Sequence, residues 1–436
     1  MARALFQSQS GTQDIFSEQA QRRRRVVELF AEEVGRVGYG QVVPPMFEDV
    51  GVFQRLGEAS DVVRKELYSF TDQGGRTLAL RPEFTASVCR MFSQHRPLVP
   101  WKVWYEGPSF RQERPQKGRY RQFDQIGSEV IGADDPDIDV ELIALCWRFF
   151  ERIGLTGVTL LLNSLGDTAD RAAYLDDLKL HFEGYGDALS EQSRSTLESN
   201  PLRVLDSKRD QDQTAIKQAP TLRDYLGEGA SASFDRVRAG LDALSIPYEI
   251  SPRLVRGLDY YNRTIFEFAS TSLDAAQNAV GGGGRYDGLV AELGGGEQPG
   301  VGFALGVDRI LLACDAEKVF GPVDTAPDVW VVATTPGTEG VEIAAELQSA
   351  GISTGRTYGG RSMKAQMKAA NKSGAAVVVI AGESEVADNS VSVRRMRSAS
   401  ELGDASNEQR SVEQRPVEQE LVERTAMIKK VRSLLL

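Results

Sequence analysis

Residues 110–123 read FRQERPQKGRYRQF. This stretch carries Arg111, Arg114, Lys117, Arg119 and Arg121 against a single acid, Glu113. Pro115 and Gly118 mark a turn between FR and a strand that should begin near Tyr120. Five cations on a short hairpin repel one another unless an anion lies among them, so the loop reads as a site for phosphate. The plainer reading is a solvated turn with a salt bridge or two. On either side KVWYEG and FDQIGSEVI have strand character, and their short connection makes the pair antiparallel. Gln125, Gly127 and Glu129 follow at period two, which puts Gln125 and Glu129 on one face of the second strand. Two such groups on a half-buried strand point to a face that lines a polar site.

Working outward, ELYSF and TLALR add strands upstream, with a helix expected over 83–94. Before them QVVPPMFE is extended, because its paired prolines exclude helix. An amphipathic helix is expected over 17–37, with Val26, Val27, Leu29, Phe30, Val34 and Val37 at helical spacing and Gly38 as its stop. Helical periodicity returns over 137–153. Residues 166–247 are polar, charged and helical in pattern, and read as an insertion in a sheet domain that resumes over 248–312. There RLVRGLDYYNRTIFEF (253–268) sets Arg256 and Gly257 before two tyrosines. A strand running through the pair would turn Tyr260 and Tyr261 to opposite faces. GGGG occupies 281–284 and GGG occupies 294–296. PGVGFALGVDR (299–309) falls one position short of a dinucleotide fingerprint and lacks a βαβ context, so close backbone packing is the simpler use of Gly300, Gly302 and Gly306. No phosphate-binding G-x-x-x-x-G-K-[ST] is present.

EKVFGPVDTAPD (317–328) is a linker by composition. After it βα alternation predicts a small α/β domain. In that domain Lys364, Lys368 and Lys372 form a stripe at four-residue spacing on a helix, which by itself is commonly only a solvated face. Residues 398–416 are low in apolar side chains and read as loop. The domain boundaries expected are 1–325, interrupted by the insertion at about 166–247, and 327–436.

Composition narrows the function classes. A net charge of -11 removes a general basic footprint, so any polyanion must be held by local patches. Three cysteines and two histidines, widely separated, form neither a disulfide framework nor a zinc-ligand pattern. No apolar run spans a bilayer and the N-terminus lacks a signal peptide's apolar centre, so a cytoplasmic protein with no membrane partner is expected.

The motifs together resemble the bacterial-type histidyl-tRNA synthetases, a family of class II aminoacyl-tRNA synthetases, nearly from end to end. QVVPPMFE resembles class II motif 1, with Pro45 as its proline. YEGPSFRQERPQKGRYRQFDQIGSE resembles motif 2 and GVGFALGVDRI motif 3, with Arg309 as its arginine. RGLDYYNRT and GGGGRYDGL resemble the two signatures of the histidine enzyme. The fold this implies is α+β: an antiparallel-sheet catalytic domain with a helical insertion, followed by a small α/β anticodon-binding domain.

The activity implied is attachment of histidine to tRNA(His) through a histidyl-adenylate, with ATP and Mg2+ as substrate complex, no tightly bound cofactor, no resident metal, and a homodimer. By the same resemblance Arg111 and Arg256 contact the α-phosphate and the attacking carboxylate, Arg256 in a role that a metal ion has in other class II enzymes. Phe123 and Arg309 would sandwich adenine and Glu113 would read its amino group. Glu129 and Tyr261 would grip the imidazole, and Glu83, Thr85 and Gln125 the α-ammonium, with Tyr286 closing the pocket. Arg114, Gln116, Arg119 and Arg121 would approach the tRNA acceptor end, and Lys364 and Lys368, with Arg356 and Arg361, the anticodon. Phe84, Asp124 and Asp308 depart from the family pattern; Phe84 would narrow the pocket or face the core, and Asp124 should point away from Gln125. The rival is a catalytically silent paralogue serving as regulatory subunit of ATP phosphoribosyltransferase, disfavoured because Arg111, Arg256, Arg309 and residues 327–436 are all present.

Overall fold

A computed structural model describes residues 5–55, 62–274, 278–323, 325–397 and 419–435. The chain divides into two compact units, residues 1–321 and 322–436. The loop expected over 398–416 lies outside the described residues.

The first unit opens with α1 (Ser17–Arg36), β1 (Gly40–Gln41), β2 (Phe47–Asp49), α2 (Val50–Gln54), β3 (Ser69–Thr71), β4 (Thr77–Leu80) and α3 (Thr85–His95). Then come β5 (Trp101–Phe110), β6 (Gln122–Ile131), α4 (Pro136–Ile153) and β7 (Val158–Ser164). The insertion is helical: α5 (Thr168–Glu183), α6 (Glu191–Ser199), α7 (Gln213–Gln218) and α8 (Glu228–Ala243), with short 3-10 turns between them. The unit closes with β8 (Glu249–Ile250), β9 (Asn262–Ser270), β10 (Ala279–Arg285), α9 (Leu289–Glu292), β11 (Gly300–Gly306) and α10 (Val307–Glu317).

Eight strands form one sheet in the order β1-β5-β6-β11-β10-β9-β7-β8, and β2-β4-β3 form a second, small one. The six inner strands are antiparallel throughout, with two-residue parallel strands at each edge. The antiparallel reading of the hairpin around residue 115 holds, although β6 begins at Gln122 because Gln116 and Arg119 pair within the loop. ELYSF is only partly strand: Val62–Glu66 is a π-helical turn and β3 starts at Ser69.

One face of the large sheet carries the main core. Val301, Phe303 and Leu305 of β11 and Ile126 and Val130 of β6 pack with α1, α4 and α8. α4 begins where Asp135 accepts from the Asp137 N–H with Pro136 in the first turn, and ends at Gly154 with φ 82°. The other face is short of side chains. Register pairs Glu129 with Gly302, Gly127 with Ala304 and Gln125 with Gly306. β10 places Gly282 opposite Ala304 and Gly284 opposite Gly302. Alternation therefore gives this face a row of glycine and alanine, and a sheet face without side chains leaves a hollow.

The second unit holds β12 (Val329–Ala333), α11 (Glu339–Ser349), β13 (Thr354–Arg356), α12 (Met363–Ser373), β14 (Val377–Ala381), α13 (Glu383–Ala387), β15 (Ser390–Arg395), β16 (Gln419–Glu423) and α14 (Met427–Leu435). Its sheet runs β13-β12-β14-β15-β16, parallel across the first three strands and antiparallel after. β14 is buried along its whole length, as a strand covered by helices on both faces must be. The α+β class expected from the sequence is the one observed.

Candidate active site

The hollow is a cavity of about 280 Å³. Glu83, Thr85, Arg111, Glu113, Phe123 and Gln125 line it from one side of the chain. Arg256, Tyr261 and Arg309 line it from segments more than a hundred residues away. Arg119 borders it too.

Glu129 and Tyr286, both expected in the pocket, are buried and do not line the cavity; Glu129 lies behind the lining residue Thr85, to which it is bonded. Thr85 and Tyr105 donate their hydroxyls to Oε1 at 2.7 and 3.0 Å, and Tyr286 donates to Oε2 at 2.7 Å. Burial pushes the Glu129 pKa up to about 8, against the pull of Thr85 and Tyr286 and with a further upward push from the Glu83 charge. A Cβ on Gly302 would overlap the Glu129 carboxylate, and one on Gly300 would overlap the Tyr286 ring. These two glycines make room for site side chains across one sheet face, so the close-packing reading holds, with strand-borne groups as the packed neighbours.

Glu83 caps α3: its carboxylate accepts the Thr85 and Ala86 N–H groups at 2.7 and 2.8 Å. Burial raises its pKa despite those bonds. Ser109 donates to Gln125 Oε1 at 2.8 Å. Tyr260 and Tyr261 do not divide between faces, because β9 begins only at Asn262. Their rings stack at a tilt with centroids 4.5 Å apart, Tyr260 donates to the Tyr261 hydroxyl at 3.4 Å, and both border the cavity. A turn before the strand frees both from the period-two rule.

The cations are anchored individually. Arg256 donates from Nη1 to Glu267 Oε2 at 2.6 Å and lies over Gly282, where a Cβ would stand 2.9 Å from that nitrogen. Arg111 donates from Nε to Pro82 O at 3.0 Å, and its guanidinium is 5.4 Å from the Phe123 ring centre. Arg309 donates to Gly118 O at 3.2 Å and Ala279 O at 2.8 Å.

The other loop residues separate. Arg119 forms a 2.6 Å ion pair with Glu113, and Arg121 donates to Glu113 O and Ser10 O. Arg114, Gln116 and Lys117 are exposed. Mutual cation repulsion is thus relieved partly by Glu113 and by carbonyls. In the second unit Lys364, Lys368 and Lys372 are exposed on α12, and Arg361 on the loop before it. Gln366 fixes that helix by donating to Ala333 O and Arg361 O, both at 2.7 Å. Arg356 lies 4.3 Å from the exposed Tyr358 ring.

The three departures have definite surroundings. Phe84 is buried, stacked on Tyr105 at 4.2 Å and covered by Arg81 at 3.8 Å, so it faces the core. Asp124 and Asp308 both meet Arg23. Sequence reading gave no role to Tyr105, Glu267 and Arg23. Only pairing across strands or helices brings them in. Among the described residues no group of three or more His, Cys, Asp or Glu could hold a metal ion, and no helix is long and apolar enough to cross a membrane.

A family model described as Histidyl-tRNA synthetase matches residues 11–310, and one described as Anticodon binding domain matches residues 328–433. The chain is 42% identical to a histidine–tRNA ligase of Geobacillus thermodenitrificans, covering 96% of this chain and 99% of that protein. A Bacillus subtilis histidine–tRNA ligase is likewise 42% identical, over 91% and 96% of the two chains. Among solved structures the apo histidyl-tRNA synthetase of S. aureus aligns with a TM-score of 0.79 at 32% identity, over 98% of this chain and 100% of that one. A Bacillus halodurans structure titled as an ATP phosphoribosyltransferase regulatory subunit/histidyl-tRNA synthetase aligns with a TM-score of 0.60 at 21% identity, which speaks to fold alone. The extent of these matches, carried by both units, makes this chain a member of the histidyl-tRNA synthetase family.

Proposed function

We propose that the protein charges tRNA(His) with histidine at the expense of ATP. The observation that carries this is the convergence of Arg111, Arg256 and Arg309 on one cavity, with a carboxylate held by three hydroxyls directly behind its lining residue Thr85. A neutral imidazole offers one donor and one acceptor, and Glu129 and Tyr261 supply complementary partners. A side chain that cannot bond to both leaves a buried polar group unpaired and is rejected strongly. The α-ammonium goes to Glu83, Thr85 and the second lone pair of Gln125 Oε1. Adenine stacks between Phe123 and Arg309, with Glu113 reading its amino group. Mg2+ enters with ATP on the phosphates.

In the first step a histidine carboxylate oxygen attacks the α-phosphorus, the bond to the bridging oxygen breaks, and pyrophosphate leaves. Arg111 and Arg256 meet the charge that builds on that phosphorus, and because each is already anchored they do so with little reorganisation. In the second step the tRNA 3′-terminal ribose hydroxyl attacks the acyl carbon, the bond from that carbon to the phosphate oxygen breaks, AMP leaves, and the hydroxyl proton passes through the departing phosphate to solvent. Arg114, Gln116, Arg119 and Arg121 meet the acceptor end. Residues 1–325, with the insertion at 166–247, form the catalytic domain, and residues 327–436 the anticodon-binding domain, where Lys364 and Lys368 meet tRNA. The silent regulatory reading has nothing in the cavity to favour it.

The protein acts in the cytoplasm as a homodimer. Val43, Met46, Phe47 and Phe70, exposed around the small sheet, supply an apolar surface for the partner. Sedimentation should return twice the chain mass at micromolar concentration; a monomer would refute that part. For the activity, total tRNA offered each of twenty amino acids should accept histidine alone. Arg256→Ala should slow histidine-dependent pyrophosphate exchange by about 10²–10³. Unchanged exchange in that variant, or charging with another amino acid, would sink the assignment.

A further inference from the structure

Asp124 directly follows Phe123 at the start of β6, and Asp308 directly precedes Arg309 in the first turn of α10. Arg23, from the exposed-to-buried flank of α1, reaches both. Its Nη1 and Nη2 donate to Asp308 Oδ1 at 2.8 and 2.9 Å, and Nη2 also donates to Asp124 Oδ2 at 3.1 Å. Gln13 adds a bond to Asp308 Oδ1 at 3.0 Å. The side chains of Arg23 and Asp308 are only 13% and 9% exposed, so this junction is shielded from solvent and its charges interact strongly. Two carboxylates turned toward each other across a strand-helix junction repel. One planar guanidinium can bond both at once, which the point charge of a lysine does less well.

We propose that Arg23 is a positioning residue for ATP: by clamping Asp124 to Asp308 it sets the separation of the Phe123 ring from the Arg309 guanidinium. Arg309 is tied to the loop and to β10 through Gly118 O and Ala279 O, but those bonds do not reach β6, where Phe123 begins. The β6–β11 ladder, which ends at Gln125 and Gly306, already joins the two backbones, and the Arg23 fork is the side-chain link added between Asp124 and Asp308, the immediate neighbours of the two wall residues. The proposal rests on the reading of Phe123 and Arg309 as the two walls of the adenine slot.

The test is a double-mutant cycle on the full-length protein with Arg23→Ala, Phe123→Ala and the pair. Histidine-dependent ATP–pyrophosphate exchange gives KM for ATP and for histidine, and thermal melting follows the fold. Arg23→Ala should raise KM for ATP about tenfold while KM for histidine moves by less than about twofold. The pair should raise KM for ATP little beyond the larger single effect, because both act through one slot. Asp124→Asn removes one arm at a half-exposed carboxylate; it should shift KM for ATP in the same direction, and it serves if Arg23→Ala fails to fold. Arg23→Lys should recover part of the loss. A lowered melting temperature with KM for ATP unmoved, or effects that simply add, would overturn the clamp alone. KM for ATP unmoved in Phe123→Ala would overturn the slot itself and the clamp with it.

Discussion

Glu129 is held by three hydroxyl donors yet its pKa lies near 8, because burial and the neighbouring Glu83 outweigh those bonds. The consequence for stability follows from the sign of the shift. Between the ordinary carboxyl value of 4.5 and about 8 the folded protein holds a proton that the unfolded chain has released. Its contribution is therefore complete below pH 4.5 and is lost as pH rises toward 8. Glu129→Gln, neutral at every pH, should remove that dependence. The melting-temperature difference between variant and wild type, measured without ligand from pH 5 to 8, should move in favour of the variant as pH rises. A difference that stays flat would contradict the buried, proton-holding carboxyl. Histidine binding should be lost in the same variant, because gripping the imidazole takes the ionised form, with acceptors on both oxygens, and the glutamine amide keeps a donor at one position at every pH.

At the scale of elements, β11 is a two-faced strand. Val301, Phe303 and Leu305 bury into the main core while Gly300, Gly302, Ala304 and Gly306 keep the other face bare. The placing of Glu129 depends on that bareness, since its carboxylate occupies the space a Cβ at 302 would take. Gly302→Ala should cost about 1–3 kcal/mol through overpacking and should displace Glu129 from its three donors. Calorimetry would read the first as a lowered melting temperature, and titration with histidine would read the second as lost binding. Normal histidine affinity in a folded Gly302→Ala protein would show that the carboxylate has room to spare. The hairpin loop behaves similarly: Glu113 and backbone carbonyls hold Arg119 and Arg121 in place, so the loop arrives partly organised before an anion binds.

For the whole molecule, net charge and local charge oppose each other. A chain of net charge -11 repels a polyanion everywhere except at its cationic patches. Binding of tRNA should therefore be steeply salt-dependent, with the logarithm of the affinity falling linearly with that of the salt concentration. Lys364→Ala and Lys368→Ala should each lessen that slope by about one and weaken binding, while leaving histidine-dependent pyrophosphate exchange intact. An unchanged slope in the double variant would remove the α12 stripe from the tRNA surface.

Much of this architecture was readable along the chain. Periodicity placed α1, α3 and α4 to within two residues at either end, and the short hairpin connection forced β5 and β6 to be antiparallel. Period two put Gln125 and Glu129 on one face, because strand alternation is a local property that needs no neighbour. What neighbours supply could not be read this way. The facing of Tyr260 and Tyr261 turned on where β9 begins, and Phe84 was assigned to the core only by Tyr105 and Arg81 around it. The pairing of Arg256 with Glu267, the three donors on Glu129 and the Arg23 fork all join residues whose separation in sequence carries no periodic signal. Local geometry is dictated by each residue and those beside it, whereas a buried polar group takes whichever partner packing brings within reach, and that is decided only when the sheet closes over it.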